Sequence, residues 1–288
     1  MRRTVRRYLA SCFPLWKSNR TITRFPHDLY LAASGVYTAL PSMKVIVIIP
    51  AAGLGTRMSS AAGAPKSKSK QFFELDGTPI LFHTLRKFAQ CPAVSEIVVA
   101  LRKNETASFQ KQIEKEKLKK PVRVVEGGEH RQNSVANALA AIEAADDDIV
   151  LVHDAVRPFV DQDTIAGVIE AVKKYEAAIA GVPAVDTVKQ VERTADGAVV
   201  IATVPRERMV LAQTPQGFRF GLLKKAFDEA AADGFMGTDE ASLIERSGGT
   251  VHVVMGSPRN MKITSPADLE LAEFFLSQEN RRKASLGG

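Results

Sequence analysis

The basic residues that follow the first strand pattern could bind phosphate. Arg57, Lys66, Lys68 and Lys70 come after "VIVIIPAAGLG", in which five apolar residues lead into a glycine-rich loop. Such an apolar run is typical of a buried parallel strand, which delivers its loop to the ligand-binding edge of an open α/β sheet. Backbone amides and cations together could hold the phosphates of a nucleoside triphosphate. A solvated basic loop has the same composition, so this segment alone does not decide the function.

Two common nucleotide-binding motifs do not fit this loop. Gly53 and Gly55 begin like the dinucleotide fingerprint, but Met58 stands where its third glycine should be. Arg102 and Lys103 follow the second strand-like run, at 96–101, whereas a dinucleotide site needs an Asp or Glu there for the ribose. A P-loop requires GxxxxGK followed by Ser or Thr, and the sequence contains no such string.

Apolar strand patterns alternate with helical patterns along most of the chain. Strand-like runs at 45–49, 96–101, 122–128 and 148–158 are each followed by a helical pattern. This order predicts an α/β fold with a Rossmann-like, mostly parallel, twisted sheet and helices on both faces. The last helix is predicted to begin at Ser265, with Asp268 completing its cap. The segment "LAQTPQGF" at 211–218 is predicted to be irregular.

A hairpin interrupts the strand and helix order at about 184–206. Two alternating segments flank Asp196-Gly197, and Asp-Gly in this position is typical of a tight turn. A two-stranded arm is marginally stable alone, so its apolar positions are expected to pack against a second copy of the chain. An ordinary surface hairpin is the alternative. We predict one domain at 43–280 that carries this protruding β-arm, followed by a flexible tail at 281–288.

The net charge of +7 belongs mainly to residues 1–42. That segment holds seven Arg or Lys and one Asp, and the rest of the chain carries 32 basic and 31 acidic residues. Nucleic-acid binding is therefore not predicted. The segment is Arg-rich like a transit peptide, but a true start at Met43 is the preferred interpretation, and we expect residues 1–42 to be disordered.

The leader segment and the cysteine content also bear on location and metal binding. Residues 1–42 have no apolar run long enough for a membrane helix, so a cytoplasmic location is predicted, or a plastid if this leader is a transit peptide. Only Cys12 and Cys91 are present, and the five histidines form no HExxH motif. Neither a disulfide framework nor a zinc centre is predicted.

Several motifs, in order, are similar to those of the 2-C-methyl-D-erythritol 4-phosphate cytidylyltransferase family. Within 43–277 they read "PAAGLGTRM", "KQFFELDGTPIL", "GGEHRQNSV", "VHDAVRPFV", "VPAVDTVKQV", "LAQTPQGF", "TDEASLIE" and "NMKITSPADLELAE". The resemblance implies a nucleotidyltransferase that moves CMP from CTP to methylerythritol phosphate in non-mevalonate isoprenoid biosynthesis. It also implies Mg²⁺, held mainly by the CTP phosphates, and a homodimer joined through the β-arm.

The resemblance also implies roles for individual residues. Arg57 and Lys70 match the two catalytic cations, with Lys66 as the rival lysine because "SKS" separates Pro65-Lys66 from Lys70-Gln71 where the family usually reads Pro-Lys-Gln. The residues implied for CTP are Ala51, Ala52, Gly53, Gly55, Gly127, Gly128, Glu129 and Ser134. Those implied for the polyol phosphate are Asp154, Arg157, Thr187, Arg206, Thr214, Thr238 and Lys262. Thr187 and Arg206 are expected to act across the dimer interface, and helix capping is the alternative role for Ser134 and for Asn133 beside it.

The expected chemistry needs no general base. The second pKa of a phosphate monoester is about 6, so the attacking oxygen is already largely ionised near neutral pH. Catalysis would then consist of positioning and charge neutralisation. Two other functions stay open from the sequence: a cytidylyltransferase for a pentitol phosphate such as ribitol 5-phosphate, and a non-catalytic nucleotide-sensing protein.

Overall fold

Eleven strands and seven α-helices make up residues 43–53 and 69–286, which are the residues described by the structure, a computed structural model. The strands are β1 (Val45–Pro50), β2 (Glu74–Leu75), β3 (Thr78–Pro79), β4 (Glu96–Leu101), β5 (Val122–Glu126), β6 (Ile149–Val152), β7 (Ala177–Pro183), β8 (Val188–Thr194), β9 (Gly197–Val204), β10 (Val210–Arg219) and β11 (His252–Met255). The helices are α1 (Ile80–Ala89), α2 (Lys103–Ile113), α3 (Arg131–Ala141), α4 (Gln162–Tyr175), α5 (Phe220–Ala232), α6 (Glu240–Arg246) and α7 (Pro266–Leu286). The predictions for residues 1–42, Gly55, Arg57 and Lys66 concern positions outside the described ranges.

A seven-stranded sheet organises these elements in the order β11-β7-β10-β6-β1-β4-β5. Parallel pairs join β1 to β4 and β6, β4 to β5, and β7 to β11. Only β10, among the described strands of this sheet, runs antiparallel to its neighbours β6 and β7. The predicted mostly parallel α/β fold is therefore confirmed.

The segment 211–218 is a correction to the sequence analysis, because it lies within β10 near the middle of the sheet. Pro215 interrupts the apolar pattern that usually marks a central strand. The register of β10 against β7 shifts between Ala212 and Gln216, so the irregularity is confined to a bulge. The paired residues on either side continue the ladder, which a local sequence pattern could not indicate.

Helices cover both faces of the sheet, as the alternation along β1 illustrates. Val47 and Ile49 belong to one buried cluster with side chains from α1, α2 and α4. Ile46 and Ile48 point to the opposite face and join a second cluster with α3, α5 and α6. Because both faces of β1 are buried, its sequence is a continuous apolar run rather than an alternating one.

The last helix begins as predicted but extends further. The Ser265 N–H donates to Asp268 Oδ2 at 2.8 Å, and the Asp268 N–H donates to Ser265 Oγ at 3.3 Å. This reciprocal cap fixes the start of α7. The helix continues through Leu286, so residues 281–286 of the predicted tail are helical. Residues 267–286 include no Gly or Pro that would end the helix earlier.

The predicted β-arm is present as a separate two-stranded sheet. Strand β8 pairs antiparallel with β9 from Val188 opposite Val204 to Thr194 opposite Gly197. Gly197 has a φ of 146°, a conformation that favours glycine at the turn. The arm exposes the apolar side chains Val191, Val199, Val200 and Ile201. In the single chain these side chains form an apolar surface without a described covering element.

Candidate functional site

The carboxyl ends of β1, β5 and β6 converge on one cavity. Parallel strands bring their following loops to a common edge, and ligands bind at this edge in open α/β sheets. Gln71 and Arg131 contribute to the wall of the cavity. The predicted site residues that line it are Ala51, Ala52, Gly53, Lys70, Gly128, Glu129, Ser134, Asp154 and Lys262.

Two glycines let the backbones around this cavity approach closely. A Cβ atom on Gly127 would lie 2.5 Å from Ala52 Cβ, and one on Gly128 would lie 2.3 Å from Asn133 Cβ. The Gly127 N–H also donates to the carbonyl of Leu101 at 2.7 Å. The loops after β1 and β5 therefore approach more closely at Gly127 than a side chain would allow, and Gly128 packs directly against the start of α3.

The start of α3 is held by its own polar side chains. The Ser134 hydroxyl accepts the Gly128 N–H at 3.1 Å and donates to the His130 carbonyl at 3.1 Å. Asn133 Oδ1 accepts the His130 N–H at 3.3 Å and caps the helix. Ser134 is 1% exposed, and its hydroxyl orders the Gly128 turn from within the cavity wall. The capping alternative thus accounts for Asn133, and Ser134 supports the loop.

Asp154, at the end of β6, lies among three cations. Its Oδ1 is 3.3 Å from Arg131 Nε, and its Oδ2 is 3.1 Å from Arg157 Nε and 3.0 Å from Lys262 Nζ. Burial by itself would raise the pKa of Asp154, but Arg131, Lys262 and Arg157 outweigh it and hold that pKa well below its usual range. The Asp154 carboxylate therefore stays ionised at every working pH and fixes the three cations.

Arg131 connects this cluster to a second buried carboxylate. Its Nη1 lies 2.6 Å from Oε1 and 2.9 Å from Oε2 of Glu240, which is 1% exposed. Burial raises the pKa of Glu240, and the neighbouring Arg131 opposes that rise. With both carboxylates ionised, Asp154 and Glu240 balance two of the three positive charges of Arg131, Arg157 and Lys262. The cluster keeps a positive charge beside the cavity, which suits an anionic ligand.

A chain of hydrogen bonds supports the turn that carries Asp154. The Asp154 N–H donates to Thr214 Oγ1 at 3.1 Å, and the Thr214 hydroxyl donates to His153 Nδ1 at 3.0 Å. His153 Nε2–H then donates to the Arg157 carbonyl at 3.1 Å. Because the carbonyl can only accept, the proton of the neutral imidazole lies on Nε2. His153 is fully buried, and this burial lowers its pKa to about 4.

Comparison with known proteins decides the family. The model of the 2-C-methyl-D-erythritol 4-phosphate cytidylyltransferase family, IspD, matches residues 45–278. The chain belongs to this family. The resemblance predicted from the ordered motifs is confirmed.

Individual relatives agree with this assignment over almost their whole length. The 2-C-methyl-D-erythritol 4-phosphate cytidylyltransferase of Acidobacterium capsulatum is 60% identical over 240 residues, which cover 83% of this chain and 100% of the relative. That of Solibacter usitatus is 53% identical over 241 residues, covering 83% and 98%. The crystal structure of the Francisella tularensis enzyme superposes with a TM-score of 0.67 at 40% identity, covering 80% of this chain and 99% of that one.

Not every residue implied by the family resemblance lies at the cavity of the single chain. Thr187, Arg206 and Thr238 are exposed and are absent from the described cavity wall. Thr214 is buried, and its hydroxyl is used between Asp154 and His153. The side chains of Arg157 and Thr214 therefore support Asp154 from within the protein.

The sequence analysis missed Arg131, Glu240 and His153. All three lie inside the quoted motifs, but their roles depend on partners from distant parts of the chain. One feature of the sequence could have indicated the role of Arg131. It is the first residue of α3, where the helix dipole disfavours a cation. A cation at that position implies nearby carboxylates, and the structure supplies them as Asp154 and Glu240.

The buried imidazole of His153 predicts a specific pH dependence of stability. Its pKa is about 4 in the folded protein against 6.5 ordinarily, so the stabilisation is complete above pH 6.5 and is lost as pH falls toward 4. This one group should account for about 3 kcal/mol of unfolding free energy. Urea unfolding of the wild type and of His153→Gln, at about pH 7 and about pH 4, measures the effect.

The two proteins should respond differently to acid. The wild type should lose more unfolding free energy than His153→Gln over this range, because glutamine does not titrate. Parallel pH dependences in the two proteins would contradict the assignment of a buried neutral imidazole. Each protein serves as its own reference at the higher pH, so a general loss of stability in the variant does not affect the comparison.

Proposed function

We propose that the cavity is where this chain transfers CMP from CTP to 2-C-methyl-D-erythritol 4-phosphate. A phosphate oxygen of the substrate attacks the α-phosphorus of CTP, the new P–O bond forms, and the bond to the departing pyrophosphate breaks. One observation carries this proposal: Lys70, Arg131 and Lys262 share one cavity with the backbone turns after β1 and β5. Such a site can position two phosphate-bearing reactants and offset their charge.

The turns after β1 and β5 are the proposed CTP side. Gly53 and Gly128 allow close approach of a ligand to the main chain, and Glu129 lies beside them on the wall. Exposed main-chain donors and acceptors can distinguish the amine of cytosine from the carbonyl of uracil. Lys70 and Arg57 are proposed to stabilise the charge that builds at the α-phosphate, with Lys66 as the rival lysine.

The Asp154 cluster is the proposed polyol phosphate side. Lys262 has an ammonium group at the cavity wall and can bind the substrate phosphate while its contact with Asp154 limits its motion. The permanently ionised Asp154 can accept a hydrogen bond from a substrate hydroxyl, since each carboxylate oxygen has more than one lone pair. Arg157 and Thr214 are proposed to act indirectly, by holding Asp154 in place.

Mg²⁺ is proposed to bind mainly through the CTP phosphates. This ion usually keeps several waters and takes only one or two carboxylates together with substrate phosphates. Within the described ranges, no group of three or more His, Cys, Asp or Glu side chains is arranged as a metal site. When bound, Mg²⁺ would neutralise part of the triphosphate charge, in addition to the chain's own cations.

A homodimer through the β-arm is part of the same proposal. The exposed apolar side chains of β8 and β9 need a covering surface, and a second copy would supply one. Thr187 and Arg206 lie at the base of the arm, away from the described cavity of their own chain. They are proposed to reach the polyol phosphate in the partner's site, as the family resemblance implies.

A cytoplasmic location is proposed on the basis of the relatives. Those named above come from bacteria, which have no plastids. Among the helices that the structure describes, none combines the length and apolarity required to cross a membrane. The proposal concerns the protein in its cell of origin and is checked by fractionation of that cell.

Pyrophosphate release tests the proposed reaction. The purified chain with Mg²⁺ should release pyrophosphate from CTP and 2-C-methyl-D-erythritol 4-phosphate, and not when ATP, GTP or UTP replaces CTP. Ribitol 5-phosphate serves as the matched acceptor, because it is also a polyol phosphate. Pyrophosphate release with ribitol 5-phosphate but not with 2-C-methyl-D-erythritol 4-phosphate would contradict the proposed acceptor. No release with any pair of nucleotide and acceptor would contradict CMP transfer itself.

Single substitutions distinguish the catalytic cations. Because Lys70 and Arg57 are proposed to act mainly on the transition state, Lys70→Ala and Arg57→Ala should each lower kcat by about a hundredfold, with smaller changes in KM for CTP. Lys66→Ala is the matched control from the same basic segment and should keep most of the activity. A larger loss with Lys66→Ala than with Lys70→Ala would reverse the assignment.

Mixed dimers test whether Arg206 acts across the interface. Arg57→Ala and Arg206→Ala chains should each be inactive alone, but a mixed dimer would contain one site with both wild-type residues. Random mixing in equal amounts should restore roughly a quarter of wild-type activity, since half of the dimers are mixed and each has one complete site. Activity no higher than the mean of the two parent variants would show that Arg206 serves its own chain's site.

A further inference from the structure

Arg102 and Glu105 form a partly buried contact next to the segment that carries Lys70. Arg102 precedes α2 and Glu105 lies in its first turn, with Nη2 and Oε1 3.2 Å apart. Arg102 Nη2 also donates to Ser69 Oγ, and the Ser69 hydroxyl donates to Glu105 Oε1. Ser69 is 1% exposed. Its hydroxyl is thus held from both sides inside the protein.

The residue on the other side of Lys70 is anchored as well. Gln71 is 2% exposed, and its side-chain amide donates to the carbonyl of Ala51 at the end of β1. A short 3-10 turn at Lys70–Phe72 follows Ser69, and the Phe72 N–H donates to the Ser69 carbonyl at 2.9 Å. Lys70 therefore leaves a backbone that is fixed at both neighbours, and it lines the cavity.

We propose that Arg102 and Glu105 are positioning residues for Lys70. They act through the Ser69 hydroxyl, which fixes the backbone at the start of the turn and so the direction in which the Lys70 side chain enters the cavity. The inference rests on the proposed function, in which Lys70 is a catalytic cation. This proposal also assigns a role to Arg102, which occupies the position where a dinucleotide-binding site would have an Asp or Glu.

The polar contacts of the pair favour a geometric role over a purely stabilising one. Arg102 Nε and Glu105 Oε2 are buried, and neither has a hydrogen-bond partner within the part of the chain that the structure describes. Buried polar atoms without partners reduce stability, and apolar replacements of buried ion pairs are often neutral or stabilising. The directional bonds to Ser69 are what an apolar replacement would lose.

The backbone of Ser69 supplies an independent test. Its φ is −68° and its ψ is 143°. The ring of proline fixes φ at about −65°, so Ser69→Pro can hold the same conformation without the hydroxyl. If Arg102 and Glu105 act by fixing this backbone, proline should make them dispensable.

The experiment measures kcat and KM by pyrophosphate release, with CTP or 2-C-methyl-D-erythritol 4-phosphate varied in turn while the other is saturating. Glu105→Ala and Ser69→Ala should each lower kcat about tenfold, with KM for either substrate changed less than about threefold, because a small misplacement of a catalytic group affects mainly the chemical step. Glu116→Ala is the control: Glu116 pairs with Arg86 at 2.7 Å and contacts no residue of the Lys70 segment among those described. It should keep wild-type kcat.

Two double variants distinguish positioning of Lys70 from a purely structural role, because only positioning predicts the following changes in kcat. In a Lys70→Ala background, Glu105→Ala should cause no further fall in kcat, since the lysine it positions is gone. Adding Ser69→Pro to Glu105→Ala should restore kcat to within about threefold of wild type, because the ring replaces the lost contact. Circular dichroism and thermal unfolding are used to check that each variant is folded.

The outcomes distinguish a failure of the positioning role from a failure of the catalytic role proposed for Lys70. Unchanged kcat in Glu105→Ala and Ser69→Ala, or an equal fall in the Lys70→Ala background, would overturn the positioning role. Failure of Ser69→Pro to restore kcat in Glu105→Ala would also overturn it. If Lys70→Ala alone kept wild-type kcat, the catalytic assignment of Lys70 would be wrong, and the positioning role would fall with it.

Discussion

The buried carboxylate of Asp154 is the interaction on which the rest of the site depends. It holds Arg131, Arg157 and Lys262 within 3.3 Å, and these residues come from three different parts of the chain. Without a charge between them, three cations would repel one another beside the cavity. An ionised carboxylate allows them to stand together, and the remaining positive charge is then available to an anionic ligand.

The sheet supplies the rigidity that this arrangement needs. Both faces of β1 and β6 are buried under helices, so the loops at their carboxyl ends begin from fixed points. The His153 imidazole extends this order into the Asp154 turn through Thr214 and the Arg157 carbonyl. The Lys70 segment is tied to the same edge by the contact between Gln71 and Ala51. The packed core therefore fixes the positions of the charged residues at the cavity.

Local patterns predicted β1, β4, β5, β6, most helices, the hairpin and the glycine turns, because each depends on neighbouring residues. Strand β10 was missed because a proline is unusual in a central strand. Its central position becomes visible only from its pairing with β6 and β7. The Arg131–Glu240 contact joins residues 109 positions apart, and no local pattern encodes that distance. Ser69 was likewise treated only as part of an insertion, since its partners come from another strand and helix. Ordered motifs identified the family, but they did not distinguish residues at the cavity from those that support it.

The most direct test of this account is the steady-state kinetics of Asp154→Asn, which keeps the shape of the side chain and removes its charge. We expect kcat/KM for 2-C-methyl-D-erythritol 4-phosphate to fall by about a hundredfold or more, because three cations lose their common counterion. Asp161→Asn is the matched control, because the Asp161 carboxylate caps α4 by accepting the Thr164 N–H and lies outside the described cavity wall. Wild-type kinetics in a folded Asp154→Asn protein would contradict the claim that this charge organises the site.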